Sequence, residues 1–207
     1  MSCRIYFVRH GQTTWNAEFK FQGHTDVPLS RIGIQQAEFL ARRLESYKIT
    51  AFYASDLTRA ITTAEILAQP HKLPVMPMQE LREVNFGRWE GKVFTQEVKD
   101  ELIKSDKNWW NSPFDGSGSK GESFSQMSAR VNEAVRSIVE RHLDDQEIVI
   151  VSHGGVIRAI IALVLGMNLV SYWRLRLDNA CLTIVDYNSP DWGTLVLFND
   201  LSHLGCL

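Results

Sequence analysis

Two histidines of this 207-residue chain occur in the same local context. His10 and His153 each come at the end of a short apolar stretch and each precede a glycine. Such stretches predict strands that are buried on both faces of a parallel sheet. Because the carboxyl ends of parallel strands line up along one edge, where ligands bind, we expect both imidazoles to reach one site. The alternative, two unrelated polar residues that end strands, fits this repeated context less well.

Two arginines are expected to add positive charge to this site. Arg9 directly precedes His10, and Arg59 falls in the first turn of a predicted helix, where the helix dipole disfavours a cation. We therefore expect an anionic group to compensate Arg59. Two planar guanidinium groups that converge on one point suit the bidentate binding of a phosphoryl group. Solvated surface arginines are the alternative, and they fit these positions poorly.

Strands and helices alternate along the chain. Strands are predicted at 5–8, 51–54, 73–78, 147–151, 181–187 and 194–198, with 73–78 at a sheet edge because of its two prolines. Four helices are predicted. The first is capped by Ser30 and buries Ile34, Ala37, Leu40, Ala41 and Leu44, and the second is capped by Ser55-Asp56 and runs to about Ala68. The third covers about 122–143, and the fourth ends at Gly166. This alternation predicts an α/β fold, a three-layer α/β/α sandwich with a mostly parallel central sheet.

Composition limits the class of partner. Hydrophobic residues make up 44% and charged residues 22%, which is ordinary globular usage, and the net charge is -2 with no long basic run. We therefore expect a small substrate, with no nucleic acid and no membrane as partner. The apolar runs fall short of the roughly 18 residues that a membrane span needs. Three dispersed cysteines without a Cys-x-x-Cys pair indicate the cytoplasm.

Four motifs resemble, in order, those of the histidine phosphatase (phosphoglycerate mutase-like) superfamily. They are Arg9-His10-Gly11-Gln-Thr-x-x-Asn16, Ser55-Asp-Leu-x-Arg59-Ala-x-x-Thr63-Ala, Leu81-Arg-Glu83-x-x-x-Gly87-x-x-Glu90-Gly91 and Ser152-His153-Gly154-Gly155. An Arg-His-Gly triplet alone would be weak evidence. Four motifs in order, in the expected strand and helix contexts, are specific.

The resemblance implies a role for each matched residue. His10 would be the nucleophile and become transiently phosphorylated, and Glu83 would protonate the leaving oxygen and then activate water. The other implied residues bind the phosphate, namely Arg9, Asn16, Arg59 and His153, or the rest of the substrate, namely Gln22, Gly23 and Gly154. Two arginines and a histidine can neutralise a phosphoryl group without a metal ion, so we expect neither a metal nor a cofactor.

The resemblance also implies a metal-independent phosphomonoesterase that acts on a small phosphorylated metabolite. The modest interval between the Glu83 and His153 motifs favours a phosphatase over a phosphoglycerate mutase, and a non-catalytic phosphate-binding module is a weaker alternative. We expect one domain over residues 1–207, with 93–123 as a cap segment. The sequence leaves open whether the chain forms an oligomer. The aromatic residues Phe86, Trp89, Trp109, Trp110 and Phe114 either line the substrate pocket or cover a helix end.

Overall fold

The central sheet is built from the apolar stretches that the sequence marks as strands. The structure, a computed structural model, describes residues 2–95, 97 and 121–205. Within these residues the strands are β1 (Cys3–Arg9), β2 (Ile49–Ser55), β3 (Val75–Met78), β4 (Gln146–Ser152), β5 (Leu182–Ser189) and β6 (Trp192–Asp200). They are paired in the order β3-β2-β4-β1-β5-β6. The first three pairings are parallel and the last two antiparallel, so the sheet is mostly parallel, as predicted.

Helices cover both faces of this sheet. The described helices are α1 (Thr14–Ala17), α2 (Arg31–Leu44), α3 (Thr58–Ala68), α4 (Phe124–Arg141) and α5 (Gly154–Val164). Because side chains alternate along a strand, Tyr6 and Val8 of β1 pack in one apolar cluster with α2 and α3, whereas Ile5 and Phe7 pack in a second with α4 and α5. The predicted three-layer sandwich is confirmed. None of the described helices is long and apolar enough to cross a membrane.

The helix starts at Ser30 and near 122 are confirmed, and so is the predicted cap at Ser30. The Ser30 hydroxyl accepts from the Gly33 N–H at 3.1 Å, and Ser123 and Gln126 form a reciprocal capping box at the start of α4. In α2 one position differs from the prediction, because Ile34 is 39% exposed while the other four apolar positions are buried. The apolar face of α2 is therefore one position narrower than expected.

The start of α3 differs from the prediction that Ser55-Asp56 caps it. No side chain of its own segment caps this helix; instead Asp26, from a distant loop, accepts from the Thr58 N–H at 2.9 Å. Asp56 forms an ion pair with Arg82 at 2.6 Å, and the Ser55 hydroxyl is occupied in the site described below. Tertiary partners thus replace the local cap.

Candidate active site

The two strand-end histidines lie side by side. Strands β1 and β4 are adjacent and parallel, with Arg9 opposite Ser152, so His10 and His153 both follow directly at the same edge of the sheet. The His10 N–H donates to the Ser152 carbonyl at 2.9 Å. The ring centroids are 5.2 Å apart, with planes inclined at 62°. The structure therefore brings both imidazoles together where parallel strands place ligands.

Hydrogen bonding fixes the tautomer of His10. Its Nδ1 lies 2.7 Å from the Gly11 carbonyl, which can only accept, so Nδ1 carries the proton and Nε2 keeps its lone pair. Burial, together with the charges of Arg59 and Arg9, holds the pKa of His10 well below its usual range. Its imidazole is therefore neutral at about pH 7, as a nitrogen nucleophile must be.

Two guanidinium groups lie beside the histidines, that of Arg59 fully buried and that of Arg9 partly buried. Arg9 donates to the Leu177 carbonyl at 2.6 Å, and Arg59 donates to the carbonyls of Gly23 at 2.7 Å and Thr25 at 3.1 Å. Neither forms a salt bridge to a carboxylate within the described residues. Burial lowers the pKa of Arg9, and it lowers the pKa of Arg59 to about 10 although nearby carboxylates raise it. A bound anion would compensate both cations.

Several buried polar atoms at this site have no hydrogen-bond partner among the described residues. They are Nε of Arg9, Nε of Arg59, Nε2 of Gln22 and Nδ1 of His153. The other ring nitrogen of His153 lies 2.8 Å from the Ser55 hydroxyl, which can donate to it and leave the ring proton on Nδ1. Buried unsatisfied donors are costly, and an oxygen-rich anion bound beside His10 would offer them acceptors.

Glu83 is held against the start of α5. It is 8% exposed; one carboxylate oxygen accepts from the Gly155 N–H at 2.9 Å and the other from the Val84 N–H at 3.0 Å. A Cβ at Gly155 would overlap the Glu83 carboxylate, so glycine there lets the carboxylate stay against the helix start. Glu83 and His10 line the same cavity of about 220 Å³. The site thus combines a neutral imidazole, two guanidinium groups and one carboxylate.

Comparison with known proteins decides the family. Residues 5–201 match the family model described as "Histidine phosphatase superfamily (branch 1)". The chain belongs to this superfamily. Its likeness to known proteins extends over almost the whole chain. The family, together with the solved phosphatase structures named below, supports phosphatase activity.

Both sequence relatives and solved structures are similar to this histidine phosphatase. A protein of Escherichia coli named "Probable phosphoglycerate mutase GpmB" is 37% identical over 97% of this chain and 94% of its own. Bacillus stearothermophilus YhfR has a TM-score of 0.87 at 32% identity, covering 98% of this chain and 99% of its own. Phosphoserine phosphatase of Entamoeba histolytica, solved in complex with 3-phosphoglyceric acid, has a TM-score of 0.84 at 30% identity, covering 98% of this chain and 99% of its own. The α-ribazole phosphatase of Shigella flexneri has a TM-score of 0.79 at 33% identity, covering 95% of this chain and 96% of its own.

Within this histidine phosphatase, the residues singled out by sequence fall into two groups. Those that line the cavity are Arg9, His10, Asn16, Gln22, Glu83 and Gly154. Arg59 and His153 are fully buried and expose no surface to it. Gly23 does not line the cavity; its carbonyl binds Arg59, and a Cβ there would overlap the Glu90 carboxylate and the Val84 carbonyl. Gly23 therefore positions Arg59. The described residues contain no group of three or more His, Cys, Asp or Glu side chains that could hold a metal ion.

The aromatic wall of the cavity differs from the one expected. Phe86 lines it, but Trp89 is 2% exposed and packs in the core. Trp109, Trp110 and Phe114 lie outside the described residues. Sequence reasoning missed Tyr172 and Trp173, which line the cavity from the 3-10 helix Leu169–Arg174. The sequence signal that could have indicated them is that two aromatic residues follow closely after α5.

Proposed function

We propose that this chain is a phosphomonoesterase that acts through a phosphohistidine on a small phosphorylated metabolite. The observation that carries the proposal is the His10 imidazole, whose Nε2 has no hydrogen-bond partner among the described residues, with Arg9 beside it in the cavity and the His153 ring 5.2 Å away. A nucleophile beside donors for the three equatorial oxygens is what phosphoryl transfer requires.

The proposed reaction has two steps. In the first, His10 Nε2 attacks phosphorus, the bond from phosphorus to the ester oxygen breaks, and that oxygen takes a proton from Glu83. In the second, Glu83 removes a proton from water, the resulting hydroxide attacks phosphorus, and the bond to Nε2 breaks. Inorganic phosphate leaves, and both residues return to their starting state. The guanidinium groups of Arg9 and Arg59 neutralise the phosphate dianion in both steps, which is the role that a metal ion fills in other phosphoryl transfers.

A phosphoglycerate mutase is the second candidate, because the relative from Escherichia coli carries that name. The two candidates differ in the fate of the phosphohistidine. We expect inorganic phosphate to be released from a panel of phosphomonoesters in the presence of EDTA and without any bisphosphorylated primer. A colorimetric phosphate assay measures this release. Activity that appears only when a bisphosphorylated primer is added, with transfer between hydroxyls, would establish the mutase instead.

The cavity also supports a substrate class. Arg158 of α5 lines it and is half-buried; its Nε donates to the Leu175 carbonyl at 2.7 Å, and its guanidinium lies 5.8 and 6.0 Å from the rings of Tyr172 and Trp173. No salt bridge within the described residues occupies it. Arg9 lies beside His10 and would bind the phosphate itself. The charge of Arg158 is therefore available to bind the leaving group. We therefore propose a phosphoester whose leaving group carries a carboxylate.

Arg158→Met is expected to raise KM for phosphoesters of hydroxy acids by about 10- to 100-fold, because a charge-assisted hydrogen bond is lost. The value of kcat for these substrates, and both constants for p-nitrophenyl phosphate, should change little. Steady-state kinetics with both substrate classes measure the difference. Arg174→Met, at an exposed position two residues beyond Tyr172, is the matched control. An equal loss for both substrate classes would contradict a carboxylate-binding role.

A single domain over residues 1–207, a cap segment at 93–123 and a cytoplasmic setting stay parts of the proposal. Both described flanks of the cap reach the cavity wall: Phe94 lines the cavity, and Phe124 packs against Tyr172 with ring centroids 4.6 Å apart. The cytoplasmic setting is supported by Cys3 and Cys181, which are buried and unpaired within the described residues.

A further inference from the structure

A segment near the C-terminus lies directly behind the nucleophile. The Ala180 N–H donates to the carbonyls of Arg9 at 3.0 Å and His10 at 3.2 Å, and the Cys181 carbonyl accepts from the Arg9 N–H at 3.3 Å. The Leu177 carbonyl also holds the Arg9 guanidinium. The backbone of the catalytic strand end is thus fixed by residues 177–181, about 170 positions later in the chain.

Asn179 is the one side chain of this segment that contacts both His10 and Asn16 among the described residues. Its amide nitrogen Nδ2 donates to the His10 carbonyl at 3.2 Å and to Asn16 Oδ1 at 3.0 Å. The His10 carbonyl only accepts, so the atom of Asn179 that faces it must be the nitrogen. The orientation of the Asn179 amide is therefore determined by a backbone group.

The orientation of the Asn16 amide is determined in the same way. Its Oδ1 accepts from the Thr13 N–H at 3.1 Å as well as from Asn179. Because both of these groups donate, the atom between them must be the oxygen, and the Asn16 Nδ2 is left to the cavity that this residue lines. With the amide reversed, Nδ2 would face two donors and an oxygen would face the phosphate site.

We propose that Asn179 is a positioning residue for phosphate binding. Its amide holds Asn16 so that Nδ2 of Asn16 donates to a phosphoryl oxygen, and the bond from Asn179 to the His10 carbonyl fixes the orientation of that amide. The neighbouring Ala180 has φ +56°, a left-handed conformation that is costly for alanine and that persists where its surroundings fix it. The inference rests on the proposed function for the identity of the ligand.

A double-mutant cycle tests the inference with a readout other than turnover. Orthovanadate, which imitates a phosphoryl group, is titrated into the wild type, Asn16→Ala, Asn179→Ala and the double variant, and kcat/KM is measured in parallel. Each single change is expected to weaken vanadate binding by about 10- to 100-fold. The double variant should bind no more weakly than Asn16→Ala alone, because Asn179 acts through Asn16.

The matched control disturbs the same segment from its other side. Asn199 binds the Asp178 backbone N–H at 2.8 Å and the Asp178 carboxylate at 2.9 Å, and no contact joins it to Asn16 within the described residues. Any loss in Asn199→Ala should therefore be independent of Asn16. If Asn179→Ala fails to fold, Asn179→Leu, which removes the donor without adding a charge, takes its place in the cycle and should show the same coupling to Asn16.

The outcomes separate this inference from the proposed function. Additive losses in Asn16→Ala and Asn179→Ala overturn the positioning role, and so does a wild type that does not bind vanadate. Coupled losses in vanadate binding, without phosphate release from any substrate, support the positioning role while contradicting the phosphatase. Coupled losses in both readouts support the positioning role and the proposed function together.

Discussion

His10→Ala is expected to lower phosphate release by roughly 10⁴-fold or more, because it removes the atom that attacks phosphorus. Arg9, Arg59 and His153 would still bind the phosphate, so substrate affinity should fall much less than turnover. The measurement is kcat for the best substrate of the panel, with the melting temperature recorded to show that the variant is folded. The burial of His10 makes this thermal control necessary, since its removal leaves a small cavity.

A covalent intermediate distinguishes a nucleophile from a binding residue. Wild-type protein quenched in alkali during turnover of a ³²P-labelled substrate should carry label that is released by acid, as a phosphorus–nitrogen bond would be. His10→Ala should carry none. His142→Ala is the control, because this histidine binds Tyr53 and Gln146 away from the cavity. Residual activity within tenfold of the wild type, or label that persists in His10→Ala, would refute the role of His10.

The pairing of the two histidines was predictable because its signals are local. Each strand is a short apolar run, and both histidines come at the end of their run, so the parallel pairing of β1 with β4 places them together. The same holds for the helix cap at Ser30, where the capping side chain and its partner are three residues apart. Local patterns give both the elements and the edge of the sheet at which the site lies.

Several residues in and after α5 could not be assigned in this way. Asn179 contacts Asn16 across 163 positions of sequence, and nothing in the local pattern indicates which distant group an asparagine binds. Tyr172 and Arg158 likewise join the cavity only after α5 packs on the sheet. These residues depend on tertiary packing, for which the four motifs contain no signal.

The error at α3 has the same physical origin. Ser55 and Asp56 are residue types that favour an N-cap, but each has a stronger distant partner, the imidazole of His153 for Ser55 and the guanidinium of Arg82 for Asp56. Asp26 then supplies the cap from 32 positions away. Polar residues near a functional site are therefore poor guides to local structure, because the site competes for them.

Glu83→Gln is expected to lower kcat for alkyl phosphoesters by about 10²- to 10⁴-fold, because the leaving oxygen can no longer take a proton from this side chain. The loss in the first step should be much smaller for p-nitrophenyl phosphate, whose leaving group departs without a proton. The second step still needs a base, so the variant should show a burst of one p-nitrophenolate per site, followed by slow turnover. Stopped-flow absorbance measures the burst.

The structure defines the control for this substitution. Both Glu83 oxygens accept backbone N–H groups, from Gly155 and Val84, so a glutamine presents its amide nitrogen to one donor and costs about 1–3 kcal/mol of stability. Thermal unfolding separates this cost in stability from the catalytic effect. Glu80→Gln, which removes the same charge at an exposed position, is the matched control. If alkyl and p-nitrophenyl substrates lost activity equally and no burst appeared, Glu83 would not be the proton donor, and its carboxylate would instead serve to hold the start of α5 beside the phosphate site.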